Sequence, residues 1–318
     1  MIKPPKPLRL DRRRLHRGFM TIAAGFQFNG GVLLCADSQY SGRSIKFFDS
    51  KLKELTQHSR DGDEQFRSVI AVSGTDCYLD MAVSACENAM LKVIDADAVD
   101  IGEPDAIRTA LSDALCEFHQ KQIFKHPHYG YSDGPSVTLL IAVRVDGNAT
   151  IFRTQETAVT EISFFDPCVF IGSGSEVARY AVTPLIKPDA YNEGLTLDEA
   201  VLLGTHALRI AKHYDPYCGG WSQFAVLSDD GSASDVARRE IDSGEVYSKA
   251  FEEILQRLFY SAAQLDGEEG LHNEDELWRL SVKLRELRDV QRSSISARRN
   301  LTEELKRARA FKPSTPQK

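Results

Sequence analysis

The first strand-like segment begins with a Met-Thr pair at positions 20 and 21, directly behind a segment rich in proline and arginine. This placement suggests that Thr21 is meant to become an N-terminus. A threonine hydroxyl is a weak nucleophile at neutral pH and needs a base within hydrogen-bonding reach. A free α-amine on the same residue, with an ordinary pKa of about 7.7–8.0, could accept the hydroxyl proton. A nearby lysine ammonium would lower the pKa of that amine, and an aspartate would hold the lysine in place.

A β-hairpin is predicted to carry Thr21. Residues 21–28 and 31–37 are strand-like and are separated by Asn29 and Gly30, and Asn-Gly between apolar segments is a strong hairpin signal. The second of these strands ends at Asp37. The sequence therefore places a threonine at the start of one strand and an aspartate at the end of its neighbour.

The remaining elements alternate in groups. Helical periodicity is predicted at residues 75–93, 105–124, 175–186 and 196–213, and strand patterns at 67–74, 136–145, 147–153, 159–162, 168–171 and 224–227. Thr196 and Glu199 have the spacing of a capping box. The order of strands, two helices, strands, two helices and a strand predicts an α+β fold and not a doubly wound sheet.

The two ends of the chain differ from the middle. Residues 1–20 form a basic leader, which lacks the periodic apolar face of a packed element. Residues 245–318 are predicted to form a helical extension, with helices at 248–264 and 275–310, because Glu, Arg and Leu dominate there. We expect these helices to dock on their own domain or on a neighbouring subunit. The central domain is predicted to span residues 21–244.

The composition excludes several classes of function. The chain has 318 residues, 42% of them hydrophobic, and a formal net charge of -7, which fits one sizeable domain with an appendage. The acidic balance argues against nucleic acid as a partner, because phosphate binding needs clustered Lys and Arg. No apolar run of about 18 residues occurs, so we expect no contact with a membrane.

The cysteines indicate a reducing compartment. Six are scattered along the chain without a C-x-x-C pair, a histidine at zinc spacing or a preceding secretory segment. We interpret them as free thiols in a cytoplasmic protein, with Cys35 and Cys77 in the core, and we expect neither a metal nor a cofactor.

Several motifs together resemble the proteasome β-type family of N-terminal nucleophile (Ntn) hydrolases, in its bacterial form. The motifs are Thr21-Ile-Ala-Ala-Gly25, Gly31-Val-Leu-Leu-Cys-Ala-Asp37, Lys51-Leu52, Val72-Ser-Gly74, Ile171-Gly-Ser-Gly-Ser175 and Asp215-Pro-Tyr-Cys-Gly219-Gly220. They occur in the family's order and cover roughly residues 21–228. The resemblance implies a four-layer αββα Ntn-hydrolase sandwich followed by the C-terminal helical extension.

The resemblance also implies the catalytic residues. The family's aspartate lies sixteen residues after its threonine, which is the separation of Asp37 from Thr21. The family's lysine opens a strand, and Lys51 fits that setting, with Lys53 as a rival assignment. Gly74 resembles the family's oxyanion donor.

Further residues are implied around the threonine. Ser173 resembles part of the turn that lines the site, and Asp215 with Gly219 resembles the support around the threonine amine. Cys218 stands where the family usually has serine; a thiol is a weaker hydrogen-bond donor, which could loosen the amine and lower the activity. Three residues fall where the family lines its specificity pocket, namely Tyr40, Asp49 and Val72.

Three interpretations explain residues 1–20. Translation could begin at Met20, after which removal of the methionine would expose Thr21. The segment could instead be a propeptide, although the family's self-cleaving members usually have glycine before the threonine and this chain has Phe19-Met20. In the third interpretation the segment is retained and the protein is inert.

We therefore expect a threonine-type endopeptidase that cleaves peptide or protein substrates through an acyl-enzyme. The resemblance implies self-assembly into a ring or related homo-oligomer, with an ATPase or other regulator as a further partner. Two alternatives remain open: a non-catalytic structural subunit with the same fold, and an Ntn amidase that acts on a small amide.

Overall fold

The computed structural model describes most of the chain. The described residues are 21–41, 46–58, 64–95, 104–127, 134–145, 148–163, 166–187, 190, 194–230, 232–262, 278–279 and 282. The chain divides into two compact units, Met1–Asp235 and Val236–Lys318. The leader at residues 1–20 and most of the predicted helix at 275–310 lie outside the described residues, so the predicted domain limits stay predictions.

The described residues form twelve strands and five α-helices. The strands are β1 (Ala23–Phe28), β2 (Gly31–Asp37), β3 (Gln39–Ser41), β4 (Lys46–Phe48), β5 (Leu52–His58), β6 (Glu64–Gly74), β7 (Val137–Val145), β8 (Asn148–Gln155), β9 (Ala158–Glu161), β10 (Cys168–Ile171), β11 (Ser222–Ser228) and β12 (Ala233–Asp235). The helices are α1 (Asp76–Asp95), α2 (Pro104–Phe118), α3 (Ser175–Val182), α4 (Leu197–Tyr214) and α5 (Arg238–Ala262). A π-helical turn, His119–Ile123, follows α2, and a 3-10 turn, Thr183–Leu185, follows α3.

Two five-stranded antiparallel sheets lie in the described part of the first unit. The first sheet has the strand order β10-β1-β2-β11-β12, and the second has the order β5-β6-β7-β8-β9. The β1–β2 hairpin is the one predicted from Asn29 and Gly30, with Gly30 at a φ of +97°, in the left-handed region that glycine adopts without a steric penalty. The structure therefore has the mixed α and β content, with antiparallel sheets, that the sequence predicts.

Apolar side chains join the two sheets face to face. Ala23 and Leu34 of the first sheet share one buried cluster with Ala71 and Leu140 of the second. Many of these side chains are small, so the facing sheets can approach closely, and dense packing of this kind stabilises the pair. The strand ends that lie between the sheets are held in fixed positions as a result.

Helices pack on the opposite faces of both sheets. Leu111 of α2 and Met90 of α1 belong to one buried cluster with Ile70 and Leu139 of the second sheet. On the first sheet, Gly204 of α4 lies so close that a Cβ atom there would come within 2.9 Å of the Phe224 ring. A glycine is needed at this position because the helix and the strand leave no room for a side chain.

The capping box predicted for α4 is present. The Thr196 side chain accepts a hydrogen bond from the Glu199 backbone N–H, and the Glu199 carboxylate accepts one from the Thr196 backbone N–H. These two bonds satisfy donors that the first turn of a helix would otherwise leave free. Helix α4 begins at Leu197 as a consequence.

Several features depart from the sequence predictions. The sequence does not predict the short β3–β4 hairpin. Helix α5 begins at Arg238, ten residues before the predicted start at 248. The α-helix predicted to reach residue 124 ends at Phe118 and passes into the π-helical turn. Cys77 is exposed and not in the core, because it lies in the first turn of α1, where the apolar face has not yet begun. All six cysteines are free thiols.

No helix among the described residues has both the length and the apolar character needed to cross a membrane.

Candidate active site

Three strand ends meet at the candidate site. Thr21 lies just before β1, Asp37 is the last residue of β2, and Lys51 lies just before β5. Because β1 and β2 are antiparallel and Ala23 pairs with Ala36, the start of one strand lies beside the end of the other. The backbones of Ile22 and Asp37 confirm this proximity, since the Asp37 N–H donates to the Ile22 carbonyl at 3.1 Å.

The side chains of Thr21, Asp37 and Lys51 are joined by hydrogen bonds. The Lys51 ammonium donates to Asp37 Oδ1 at 2.6 Å and also to the Thr21 hydroxyl. The Thr21 hydroxyl in turn donates to Asp37 Oδ1. The structure thus brings together the three residues that the sequence analysis grouped.

The site is removed from water, which strengthens its electrostatics. Asp37 and Lys51 are 0% and 1% exposed, and Thr21 is also buried. Burial lowers the pKa of Lys51, and the negative charge and hydrogen bond of Asp37 act in the opposite direction. Two buried opposite charges in contact interact far more strongly than a pair at the surface.

Two further groups surround the lysine ammonium. The Gln39 carbonyl accepts a hydrogen bond from Lys51 Nζ, and the Tyr40 ring lies with its centroid 4.9 Å from the same atom. A carbonyl and an aromatic face both favour a cation. Gln39 could not be named from the sequence, because a main-chain carbonyl leaves no signal in the residue type.

Asp37 is held by main-chain donors as well as by Lys51. The Ile22 N–H donates to Oδ1 at 3.1 Å, and the Gly219 N–H donates to Oδ2 at 2.8 Å. A carboxylate that accepts several hydrogen bonds is fixed in both position and orientation. Gly219, predicted to lie around the threonine amine, is thus placed on the far side of Asp37.

A second cluster of predicted residues lies next to the first. The Ser173 hydroxyl donates to Asp215 Oδ2 at 2.5 Å, and Cys218 Sγ donates to the same oxygen at 3.5 Å. Burial, followed by the charges of Asp37 and Asp215, raises the pKa of the Cys218 thiol. Because the thiol stays protonated, Cys218 acts as a hydrogen-bond donor here and not as a nucleophile.

The turn before α3 contacts the main chain of Thr21. The Gly174 N–H donates to the Thr21 carbonyl at 3.3 Å. Gly172 has a φ of +92°, and a Cβ atom on it would lie 2.1 Å from the same carbonyl oxygen. This turn therefore fixes the position of Thr21 and requires glycine at residue 172.

Gly172→Ala is expected to lower the free energy of unfolding by at least about 2 kcal/mol, because backbone strain and a clash with the Thr21 carbonyl add together. Gly30→Ala is the matched control: Gly30 has a φ of +97° but nothing within 4 Å of its Cβ position, so strain alone should cost about 1 kcal/mol. Urea titration of both variants measures the difference. Equal losses would show that the contact with Thr21 does not constrain residue 172.

A small pocket opens beside Thr21 and Lys51. Its lining includes three of the predicted residues, Tyr40, Val72 and Gly74. Asp49 is not among the described residues that line it; its exposed carboxylate accepts the N–H of Ser50 at 2.7 Å. Four residues that were not predicted from the sequence complete the lining, namely Gln39, Ser41, Ser73 and Leu79.

Gly74 has the geometry of a close backbone approach. Its φ is +140°, and a Cβ atom would lie 2.2 Å from the Ser136 carbonyl oxygen. Only glycine fits there without distortion.

The rival lysine lies elsewhere. Lys53 Nζ is 3.6 Å from an Asp80 carboxylate oxygen, and both side chains reach solvent. Lys51 precedes β5 and is buried, whereas Lys53 lies within the strand and its side chain is 35% exposed. Lys51 is therefore the lysine of the candidate site.

Comparison with known proteins gives the class of fold that carries this site. Neither a protein-family model nor a curated protein matches the sequence, whereas solved structures share its fold. That fold is the one found in Anbu proteins.

Three Anbu structures illustrate the similarity. Anbu from Yersinia bercovieri, described as an ancestral beta-subunit, has a TM-score of 0.60 at 15% identity, covering 78% of this chain and 98% of that one. A Gly-1 mutant of Anbu from Hyphomicrobium sp. strain MC1 has a TM-score of 0.58 at 14% identity, covering 76% and 96%. The helical assembly of the Anbu complex from Pseudomonas aeruginosa has a TM-score of 0.56 at 12% identity, covering 74% and 96%.

These neighbours correct one prediction. The motifs predict a member of the proteasome β-type family of Ntn hydrolases, and this prediction is wrong, since the similar structures are Anbu proteins. The motifs consist of strands and glycine turns that shape the fold around the site. Residues of this kind do not separate two families that share a fold.

Proposed function

We propose that this protein is a hydrolase of the Anbu fold, in a four-layer αββα sandwich, that cleaves amide bonds with Thr21 as the nucleophile. The observation that carries the proposal is the buried, mutually hydrogen-bonded group of Thr21, Asp37 and Lys51. Such an arrangement is expensive to bury, and strongly perturbed groups of this kind are concentrated at functional sites. The expected substrates are peptides or proteins, which makes the enzyme a threonine-type endopeptidase.

The proposed reaction proceeds through an ester on Thr21. The threonine amine accepts the hydroxyl proton as Oγ1 bonds to the substrate carbonyl carbon, and that proton passes to the leaving amine as the C–N bond breaks. Water then attacks the ester with the same amine as base, which releases the carboxylic acid and restores the hydroxyl. The Gly74 N–H is proposed to stabilise the oxyanion, a role typically worth about 10²–10³ in rate.

Lys51 and Asp37 have distinct roles in this mechanism. The ammonium donates to the Thr21 hydroxyl oxygen, so it stabilises the negative charge that grows there during attack. Asp37 binds the ammonium, and the hydrogen bond from the Gly219 N–H fixes the Asp37 carboxylate in turn. Burial already lowers the pKa of Lys51, so the carboxylate is needed to keep the lysine charged.

The amine is available only if the chain begins at Thr21. In the 318-residue sequence, Met20 precedes Thr21, and the Thr21 nitrogen is then an amide that accepts no proton. The proposal therefore includes a mature chain without residues 1–20, produced by initiation at Met20 or by cleavage.

Self-assembly is part of the proposal. One of the similar structures is a helical assembly of the Anbu complex, which supports a homo-oligomer for this chain. A regulatory partner, an ATPase or another protein, stays a prediction.

A covalent probe tests the function directly. A chain expressed from Met20 and trimmed to Thr21 is treated with a β-lactone, and the adduct is mapped by mass spectrometry. We expect the acyl group on the N-terminal peptide of this chain and not on the corresponding peptide of the chain that retains residues 1–20. Labelling of the exposed thiols Cys77 and Cys116 alone, or of no residue, would contradict the proposal.

The same trimmed chain distinguishes the two amide-hydrolase possibilities. Turnover of a fluorogenic peptide panel indicates an endopeptidase, whereas turnover confined to small amides indicates the amidase. An acyl adduct without turnover of either would identify a nucleophile whose deacylation is blocked.

A further inference from the structure

The two sheets contribute different members of the candidate site. Thr21 lies just before β1 and Asp37 ends β2 in the first sheet, while Lys51 precedes β5 at the edge of the second. Its ammonium nevertheless lies 2.6 Å from Asp37 Oδ1. The position of the Lys51 main chain relative to the first sheet therefore decides whether the three side chains meet.

A side chain of the first sheet binds the Lys51 main chain directly. Gln223 Oε1 accepts the Lys51 backbone N–H at 3.0 Å. On its other side, the Lys51 carbonyl accepts the Val72 N–H of β6 at 3.1 Å. The peptide groups of Lys51 are thus bonded to one sheet through a side chain and to the other through the backbone.

The position of Gln223 in its strand is unusual for a polar residue. Ala225 and Leu227 follow at intervals of two on β11, and both lie in the apolar cluster between the sheets. Successive side chains on a strand alternate between its faces, so Gln223 points to the same inner face. Its neighbours Ser222 and Phe224 point to the α4 side, where Lys212 Nζ donates to Ser222 Oγ at 2.6 Å.

The strand register places Gln223 close to Asp37. In the β2–β11 pairing, Gln223 lies opposite Ala36 and Ser222 lies opposite Asp37. Gln223, which accepts the Lys51 backbone N–H, therefore pairs with the residue next to Asp37, and Asp37 binds the Lys51 ammonium.

We infer that Gln223 is a positioning residue that sets the reach of Lys51 toward Thr21 and Asp37. The inference rests on the proposed function for its effect on turnover, but the geometry itself does not require that function. A buried N–H without an acceptor is unfavourable, so loss of the Gln223 amide would drive the Lys51 backbone to another position. A shift of about 1 Å in a catalytic group can lower a rate about 100-fold.

Gln223→Leu in the chain that begins at Thr21 tests the inference. We expect kcat to fall about 10- to 100-fold with KM nearly unchanged, because Lys51 acts on the reacting oxygen and not on substrate binding. Gln223→Glu retains an acceptor of the same reach, so it should restore most of kcat. It should also move the acid limb of the pH profile to higher pH, because an added negative charge favours the protonated amine and lysine.

Gln27→Leu is the matched control. Gln27 is another glutamine of the first sheet, itself buried, and its Nε2 donates to the Ile162 carbonyl at 2.8 Å. This variant loses a comparable hydrogen bond away from the candidate site, so its kcat and pH profile should stay those of the parent chain.

A readout without turnover separates this inference from the proposed function. The Lys51 ammonium is titrated by NMR of the lysine side-chain carbons, with the signal assigned from a Lys51→Arg chain. Gln223→Leu should change the pKa of Lys51, and Gln27→Leu should not. If the parent chain is inactive while this difference appears, the function fails and the inference stands. If Gln223→Leu matches Gln27→Leu in both kcat and titration, the inference is overturned whatever the activity.

Discussion

Replacing Thr21 by alanine, in a chain that begins at residue 21, is expected to reduce amide hydrolysis about 10⁴-fold or more, to background. The variant keeps the free amine and the Lys51–Asp37 pair but has no oxygen to bond to the substrate carbonyl. Thr21→Ser keeps a hydroxyl in the same place and should retain measurable activity. Initial rates on the fluorogenic substrate that the parent chain cleaves best give the comparison.

Two controls define what this result means. Thr205→Ala removes another buried threonine hydroxyl, which donates to the Val201 carbonyl at 2.7 Å inside α4, and its rate should equal that of the parent. A parent chain that retains residues 1–20 should be as inactive as Thr21→Ala, since its Thr21 nitrogen is an amide. Activity that survives Thr21→Ala would require another nucleophile, and inactivity of all forms would favour the non-catalytic subunit.

The parts of the fold that the sequence predicts are those with a local signal. The Asn29-Gly30 turn predicts the β1–β2 hairpin, and the Thr196–Glu199 spacing predicts the start of α4. Both signals act within a few residues, so no tertiary contact is needed to interpret them. By contrast, β3 and β4 have three residues each, too few to show a period.

The residues of the candidate site also fall into two groups, those that the sequence indicates and those that it does not. Thr21, Asp37 and Lys51 could be named from residue types within the motifs, because their chemistry is unusual and their order is fixed. Gln39 and Gln223 could not, since one acts through its carbonyl and the other depends on the register of β11 against β2. Register and main-chain contacts arise from the packing of distant strands, which a single sequence does not display.

The resemblance to the wrong family has a related cause. The motifs that carried it contain glycines such as Gly74 and Gly172, each held by a backbone conformation and a close contact that exclude a side chain. Such glycines are required by the turns around the site, so they recur wherever the fold recurs. At 12–15% identity to the Anbu structures, the motifs indicate the fold around the site but do not distinguish between families that share this fold.

Lys51→Met is the second large effect that we expect, and it should lower both activity and stability. Without the ammonium, nothing stabilises the charge on the Thr21 oxygen, and kcat should fall at least about 10³-fold. The fully buried Asp37 carboxylate would also lose its charged partner, and breaking a buried pair in this way typically costs about 3–5 kcal/mol. Hydrolysis rates and urea titration measure the two losses on the same sample.

The double variant Lys51→Met with Asp37→Asn separates the two losses. It removes the unpaired charge, so it should recover part of the lost stability, although an amide cannot accept from both Ile22 and Gly219 as the carboxylate does. Activity should stay absent, because stability alone does not restore the ammonium. Lys53→Met supplies the control, since the exposed Lys53–Asp80 pair is worth less than about 1 kcal/mol and its loss should leave kcat unchanged. A double variant less stable than Lys51→Met would show that the buried charge is not what destabilises the single variant.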